Sequence, residues 1–225
     1  KHKTRVNINF VLAETITSRN VKKLIGKHDA VLVPGGFGQR GVEGMILACK
    51  YARENQIPYL GICLGMQVAI IEYCRNVLGL KDANSTEFDS KTKNPVIALI
   101  TEWSDRSGKK EVRNKDSDLG GTMRLGGQLC KLQKSSNAYK MYKKLEIVER
   151  HRHRYEVNPF YKDAMSSAGL SIVGTSSDKK LVEMIEINNH KWFLACQFHP
   201  EFTSNPRDGH PIFNSYIKST IKHDK

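Results

Sequence analysis

Long apolar runs are missing from this 225-residue sequence. No stretch reaches the roughly 18 consecutive apolar residues that mark a membrane-spanning helix, so no membrane partner is expected. A disulfide framework is missing as well. The five cysteines, Cys49, Cys63, Cys74, Cys130 and Cys196, are odd in number, follow no framework spacing and include no Cys-x-x-Cys. They read as reduced thiols of a cytoplasmic protein. No signal-peptide pattern, internal repeat or low-complexity tract is visible. No Gly-x-x-x-x-Gly-Lys-Ser/Thr phosphate loop occurs. The one metal-like pair, His151-x-His153, has no cysteine or carboxylate cluster to complete it, and no metal is expected.

Negative charge is in short supply, with 23 Asp and Glu against 36 Lys and Arg and a net charge of +13. A basic surplus invites a nucleic-acid reading, with Arg150–Arg154 as the obvious patch. The lysines are instead scattered in pairs such as Lys22-Lys23 and Lys179-Lys180, the pattern of a solvated surface. Nucleic acid is therefore not the expected partner. The surplus is better suited to steering anionic ligands.

What is present centres on Pro58-Tyr59-Leu60-Gly61-Ile62-Cys63-Leu64-Gly65-Met66-Gln67. A short apolar run ends at Cys63, and a helical pattern starts at once. Gly-x-Cys-x-Gly is the thiol counterpart of the Gly-x-Ser-x-Gly nucleophile elbow. A Cβ atom at Gly61 or Gly65 would crowd so sharp a turn. A helix N-terminus at Cys63 favours the thiolate and aims the Leu64 N–H at a reacting carbonyl. The competing reading is a buried structural cysteine.

A cysteine nucleophile needs a base and an orienting group. In Gln197-Phe198-His199-Pro200-Glu201, Pro200 biases His199 toward extended backbone. Residues i and i+2 then project to one side, so Glu201 can hold the His199 imidazole. The apolar run Trp192–Phe198 reads as a buried strand ending at this pair, and open α/β sheets bind ligands at that edge. A second buried strand, Ala30–Val33, runs into the glycine-rich turn Pro34-Gly35-Gly36-Phe37-Gly38-Gln39-Arg40-Gly41. Gly36 is the best-placed second oxyanion donor. Gly36, Gly38 and Gly41 also match Gly-x-Gly-x-x-Gly, but the next strand, Ile57–Ile62, ends without the acidic residue a dinucleotide site requires.

The coarse pattern is α/β in one domain, 1–225. Strands are expected at Arg5–Leu12, Ala30–Val33, Ile57–Ile62, Val96–Thr101, Ile147–Val148, Ser171–Thr175, Leu181–Ile187 and Trp192–Phe198. Helices are expected at Ser18–Lys23, Val42–Asn55, Leu64–Val77, Pro159–Ala168 and Pro211–Lys222. Asn158-Pro159 supplies a cap and first turn with Gly169 as the stop. Asn188-Asn189-His190 reads as a hairpin turn. Lys109–Gly126 reads as a mobile loop.

Gly-Ile-Cys63-Leu-Gly-Met-Gln, Val-Pro-Gly-Gly36-Phe-Gly and His199-Pro-Glu201 resemble the triad type of class I glutamine amidotransferase. Asn84–Phe88, Leu99–Trp103, Leu119–Gly126, Val148–Val157 and Phe202–Pro211 are similar to the corresponding blocks of the CTP synthase family. The resemblance implies an open, mainly parallel, flavodoxin-like sheet with helices on both faces and an added antiparallel hairpin. It implies Cys63 as nucleophile, His199 as base and Glu201 as its orienter. Gly36, Leu64, Gly65, Met66, Gln67, Glu87 and Arg154 fall at positions that hold the oxyanion and the glutamine substrate. Glu87 would accept from the α-ammonium, and Arg154 would fork onto the α-carboxylate.

The resemblance further implies that ammonia released here aminates UTP in a synthetase domain using ATP and Mg, with GTP as possible activator and a homo-tetramer as the full-length assembly. No cofactor is expected in the present domain. That synthetase domain is not visible in the sequence. The strand and helix that open the family's domain also have no counterpart before Arg5–Leu12. The loop Lys109–Gly126 would form a lid over the glutamine. Another class I amidotransferase, a γ-glutamyl hydrolase and an inactive regulatory module are the alternatives.

Overall fold

The computed structural model describes residues 2–99 and 123–221. In chain order the elements are α1 Val21–Ile25, β1 Val31–Val33, α2 Val42–Glu54, β2 Tyr59–Ile62, α3 Leu64–Asn76, β3 Ala83–Ser85 and β4 Asn94–Leu99. They continue with β5 Arg124–Leu132, α4 Asn137–Tyr142, β6 Glu146–His153, β7 Tyr155–Val157, α5 Lys162–Ser167, β8 Leu170–Ser176, β9 Val182–Ile187, β10 Phe193–Cys196 and α6 Pro211–Thr220.

One sheet has the order β1-β2-β10-β9-β8-β5-β6. β1, β2 and β10 run parallel, and every later pairing in this sheet is antiparallel. The expected α/β class therefore holds. The antiparallel extension is larger than the single hairpin expected, because β5 and β6 continue it beyond β8 and β9. A smaller sheet, β3-β4-β7, carries the segments around Glu87 and Arg154.

Helices cover both faces of the large sheet, as strand alternation requires. Tyr59 of β2 and Phe193 and Ala195 of β10 pack into one apolar core with α2 and α3. Leu60, Ile62, Leu194 and Cys196 pack into a second core with Ile212 and Tyr216 of α6. Strands buried on both faces read as continuous apolar runs, and β2 and β10 are buried at every position. Full burial of a side chain such as Leu60 contributes about 1.5–3 kcal/mol.

Local signals act as the sequence predicts at several ends. Asn158 accepts the N–H of Phe160 at 3.1 Å ahead of a short 3-10 turn at Pro159–Tyr161. Gly169 stops α5 with a φ of 104°. The Asn188–His190 turn joins antiparallel β9 and β10.

Three expectations need correction. Arg5–Leu12 is not a strand: its apolar alternation, Val6, Ile8, Phe10 and Leu12, stays exposed, because no neighbouring strand offers it a ladder among the described residues. The loop expected over Lys109–Gly126 lies partly outside the described residues, and Arg124–Gly126 opens β5, paired with His151–His153. β6 runs the full length of Glu146–His153, not just Ile147–Val148.

Candidate active site

Cys63 sits between the end of β2 and the start of α3 with φ 52° and ψ −102°. A non-glycine residue rarely adopts such backbone, and it stores about 1–3 kcal/mol. Its N–H donates to the Cys196 carbonyl at 2.7 Å, and its carbonyl accepts from Met66 and Gln67 N–H at 3.0 and 3.2 Å. The flanking glycines allow this close approach. A Cβ at Gly61 would lie 2.6 Å from the Gly65 carbonyl oxygen, and one at Gly65 would lie 2.2 Å from that of Val33.

His199 Nδ1 lies 2.6 Å from Glu201 Oε1. The backbone of His199 is extended, with φ −109° and ψ 91°, as the following proline demands. Its N–H donates to the Arg150 carbonyl at 2.8 Å, and its ring stacks on Phe202 with centroids 4.8 Å apart. Nε2 is buried and finds no hydrogen-bond partner among the described residues. Gly35 shows how near the ring is to the thiol. A Cβ there would lie 2.7 Å from His199 Cε1 and 3.5 Å from Cys63 Cβ.

In front of Cys63 lies a cavity of about 370 Å³, near the small end of the ligand-site range. Gly36, Cys63, Gln67, Glu87 and Arg154 all line it, although they come from four separate stretches of chain. Glu87 Oε1 accepts the Gly38 N–H at 2.8 Å and so ties the glycine-rich turn to the small sheet. Arg154 Nε is buried and without a hydrogen-bond partner among the described residues. Leu64 stands behind Gly36, whose Cβ would lie 3.1 Å from Leu64 Cδ2. Gly65 and Met66 do not line the cavity. The Gly65 carbonyl accepts from Tyr59 Oη at 2.9 Å, and Met66 is fully buried in the core.

Electrostatics correct one expectation. Burial pushes the Cys63 thiol up to about 12, and the carboxylates of Glu156, Glu201 and Glu87 push the same way, against the Leu64 N–H, which pulls it down. Desolvation outweighs the Leu64 N–H and favours the neutral thiol over the thiolate. Burial raises Cys49, Cys74, Cys130 and Cys196 too. What sets Cys63 apart is access to the cavity.

Sequence reading does not reach the rest of the wall: Phe37, Met123, Arg152, His153 and Tyr155. Arg152 lies over the Phe37 ring at 5.8 Å, a cation–π contact that joins β6 to the glycine-rich turn. Gln197, fully buried, reaches Cys63 Sγ at 3.7 Å. Behind His153 is a buried polar cluster. Arg124 bonds Glu156 and Glu183, each at 2.9 Å, and His151 Nδ1 meets His153 Nε2 at 2.8 Å. The two rings are tilted by 49° and joined through these nitrogens, and no group of three or more metal-ligating side chains occurs among the described residues. β6 alternates exposed and buried along its whole length. Inward Glu149, His151 and His153 alternate with outward Arg150 and Arg152, a pattern that an alternation test restricted to apolar residues does not detect.

The class-I glutamine amidotransferase family model matches residues 2–219. The glutaminase domain of CTPS from Trypanosoma brucei, solved with bound acivicin, is 38% identical, with a TM-score of 0.86 over 99% of this chain and 83% of that one. A Thermoplasma acidophilum protein, provisionally described as part of a GMP synthase, shares the fold at 16% identity, with a TM-score of 0.55 over 88% of this chain and 76% of that one. The chain thus belongs to the class-I glutamine amidotransferases and is a glutaminase domain of the CTP synthase kind.

Proposed function

We propose that Cys63, His199 and Glu201 hydrolyse free L-glutamine by acyl transfer. His199 Nε2 takes the thiol proton as sulfur attacks the side-chain amide carbon. The Gly36 and Leu64 N–H groups receive the oxyanion. The tetrahedral adduct collapses, the C–N bond breaks, and ammonia leaves with the proton from His199. Water then gives a proton to His199 and attacks the thiolester; glutamate leaves and the thiol is restored. Glu201 holds the imidazole tautomer throughout.

Gln67 and Glu87 take the α-ammonium, and Arg154 takes the α-carboxylate. The convergence of Cys63, Glu87 and Arg154 on one cavity carries this reading, because opposite charges placed beyond a thiol suit a zwitterion and not a peptide-bound glutamine. The ammonia serves ATP-dependent amination of UTP to CTP in a synthetase domain of the same polypeptide. ATP, UTP and Mg belong to that domain. GTP activation, a homo-tetramer and a cytoplasmic location complete the proposal.

Ammonia release from L-glutamine by the purified protein tests the reading. Release that stops in Cys63→Ala supports it. Turnover of γ-glutamyl peptides in preference to glutamine would favour a γ-glutamyl hydrolase, and no turnover of either would favour a regulatory module.

A further inference from the structure

Two buried glutamines stand between Tyr155 and the thiol. Gln67 Nε2 lies 3.1 Å from the Tyr155 carbonyl oxygen and 3.3 Å from Gln197 Oε1. Gln197 Nε2 lies 3.7 Å from Cys63 Sγ, and the Gln197 backbone N–H is held by the Glu183 carbonyl at 2.9 Å. The directions of these bonds follow from the chemistry. A backbone carbonyl only accepts, so the Gln67 atom facing Tyr155 is nitrogen. That nitrogen has a second proton, which faces Gln197, so the Gln197 atom there is oxygen. The remaining Gln197 atom, facing sulfur, is nitrogen. The chain of bonds fixes both amide orientations, which side-chain shape alone would leave open. Both Gln67 amide protons are used, so Gln67 presents only Oε1 to the cavity, as an ammonium acceptor should.

The surroundings of the sulfur make a donor valuable. Glu156 on β7, Glu201 after β10 and Glu87 after β3 all oppose a negative charge at Cys63. Cys196 on β10 is electrostatically coupled to Cys63. His153, Arg152, Arg154 and Tyr155 line the same cavity, and His199 lies across Gly35. Leu64 N–H lies beside the resting sulfur, but the reaction draws it to the oxyanion.

We infer that Gln197 is the amide donor that stabilises the Cys63 thiolate, aimed at sulfur by the Tyr155 carbonyl through Gln67. The inference rests on the proposed role of Cys63. It makes Gln197 a catalytic residue for thiolate formation and for thiolate departure from the second tetrahedral adduct.

The test uses Q197M and Q197E, with alkylation of Cys63 by iodoacetamide and glutamine turnover followed across about pH 5.5–9.5, a range that brackets ordinary imidazole and thiol titration. Q197M keeps the volume and loses the donor. Its alkylation rate and kcat should both fall about tenfold, equivalent to a rise of about one pH unit in the thiol, with the KM for glutamine changed less than about threefold. Q197E keeps an acceptor for Gln67, and its introduced carboxyl donates only while protonated. Its deficit relative to wild type should therefore widen as pH rises, a signature that a packing role would not give.

Folded Q197M with wild-type alkylation and kcat, or a Q197E deficit that does not vary with pH, would overturn the inference. If Q197M does not fold, the Q197E profile decides. No glutamine hydrolysis by the wild-type protein, together with these alkylation shifts in the variants, would sink the glutaminase reading and leave the donor assignment standing. Normal glutamine turnover unaffected by either variant would do the reverse.

Discussion

A Cβ placed on Gly35 would lie 2.7 Å from His199 Cε1, and the same atom would lie 3.5 Å from Cys63 Cβ. Base and nucleophile thus meet across one glycine. Gly35→Ala should wedge the imidazole out of line, because Glu201 holds its Nδ1 and the ring cannot simply swing aside. Misplacement on the order of 1 Å can cost about a hundredfold in rate. A fall in kcat of at least about tenfold is expected, in protein whose thermal midpoint stays near wild type. Undiminished kcat would show that the gap is not tight.

Backbone strain at Cys63 gives a stability prediction. With φ at 52°, Cys63→Ala retains the strain and Cys63→Gly relieves it. Both should be inactive. The glycine variant should be more stable by about 1 kcal/mol, measurable by denaturant unfolding. Equal or lower stability would argue against a strained elbow.

Glu87 and Arg154 should act in recognition. Glu87→Gln keeps an oxygen for the Gly38 N–H, so the turn is preserved while the charge is lost. Losing one partner of a buried charge pair costs about 2–5 kcal/mol. Glu87→Gln and Arg154→Ala should each lower kcat/KM for glutamine at least about 30-fold, while iodoacetamide alkylation of Cys63 stays within a few-fold of wild type. Unchanged kcat/KM would remove the charge-pairing role.

The buried cluster beneath the cavity predicts a pH dependence of stability. Burial raises Glu156 to about 8 and also raises Glu183, against the pull of Arg124. Burial lowers His151 and His153 to about 2 and about 3, with Arg124 adding to the fall. Above pH 4.5 the folded state keeps carboxyl protons that the unfolded chain has lost, so these groups make stability fall as pH rises. Below pH 6.5 the unfolded chain binds imidazole protons that the folded state excludes, so the histidines make stability rise with pH. Between pH 6.5 and about 8 only the falling contribution remains. Unfolding free energy should decline over that window, with a shallower slope in Glu156→Gln. Identical slopes would contradict the assignment.

Much of the site is legible in the sequence, and the gaps have physical causes. β2, β10 and their helices are apolar runs bounded by caps and turns, and the elbow glycines are required by contacts of 2.2 and 2.6 Å. β6 reads short in sequence because its buried face carries Glu149, His151 and His153; Glu149 is met there by Tyr142, Thr203 and His210, and His151 by Glu183 of β9. β5 escapes sequence reading because Gly126-Gly127 lacks strand propensity; its ladder with β6 supplies the order. Gln197 gives no pattern at all, since its meaning lies in Gln67, 130 positions away, and in the Tyr155 carbonyl beyond it.

Covalent labelling tests the central claim most directly. A glutamine analogue with an electrophile at the side-chain carbonyl position is mixed with the protein, and the product is read by intact mass and peptide mapping. The account predicts one label per chain, on Cys63, slowed by L-glutamine and absent in Cys63→Ala. Labelling mainly of Cys49, Cys74, Cys130 or Cys196, or labelling of Cys63 that L-glutamine does not slow, would contradict it.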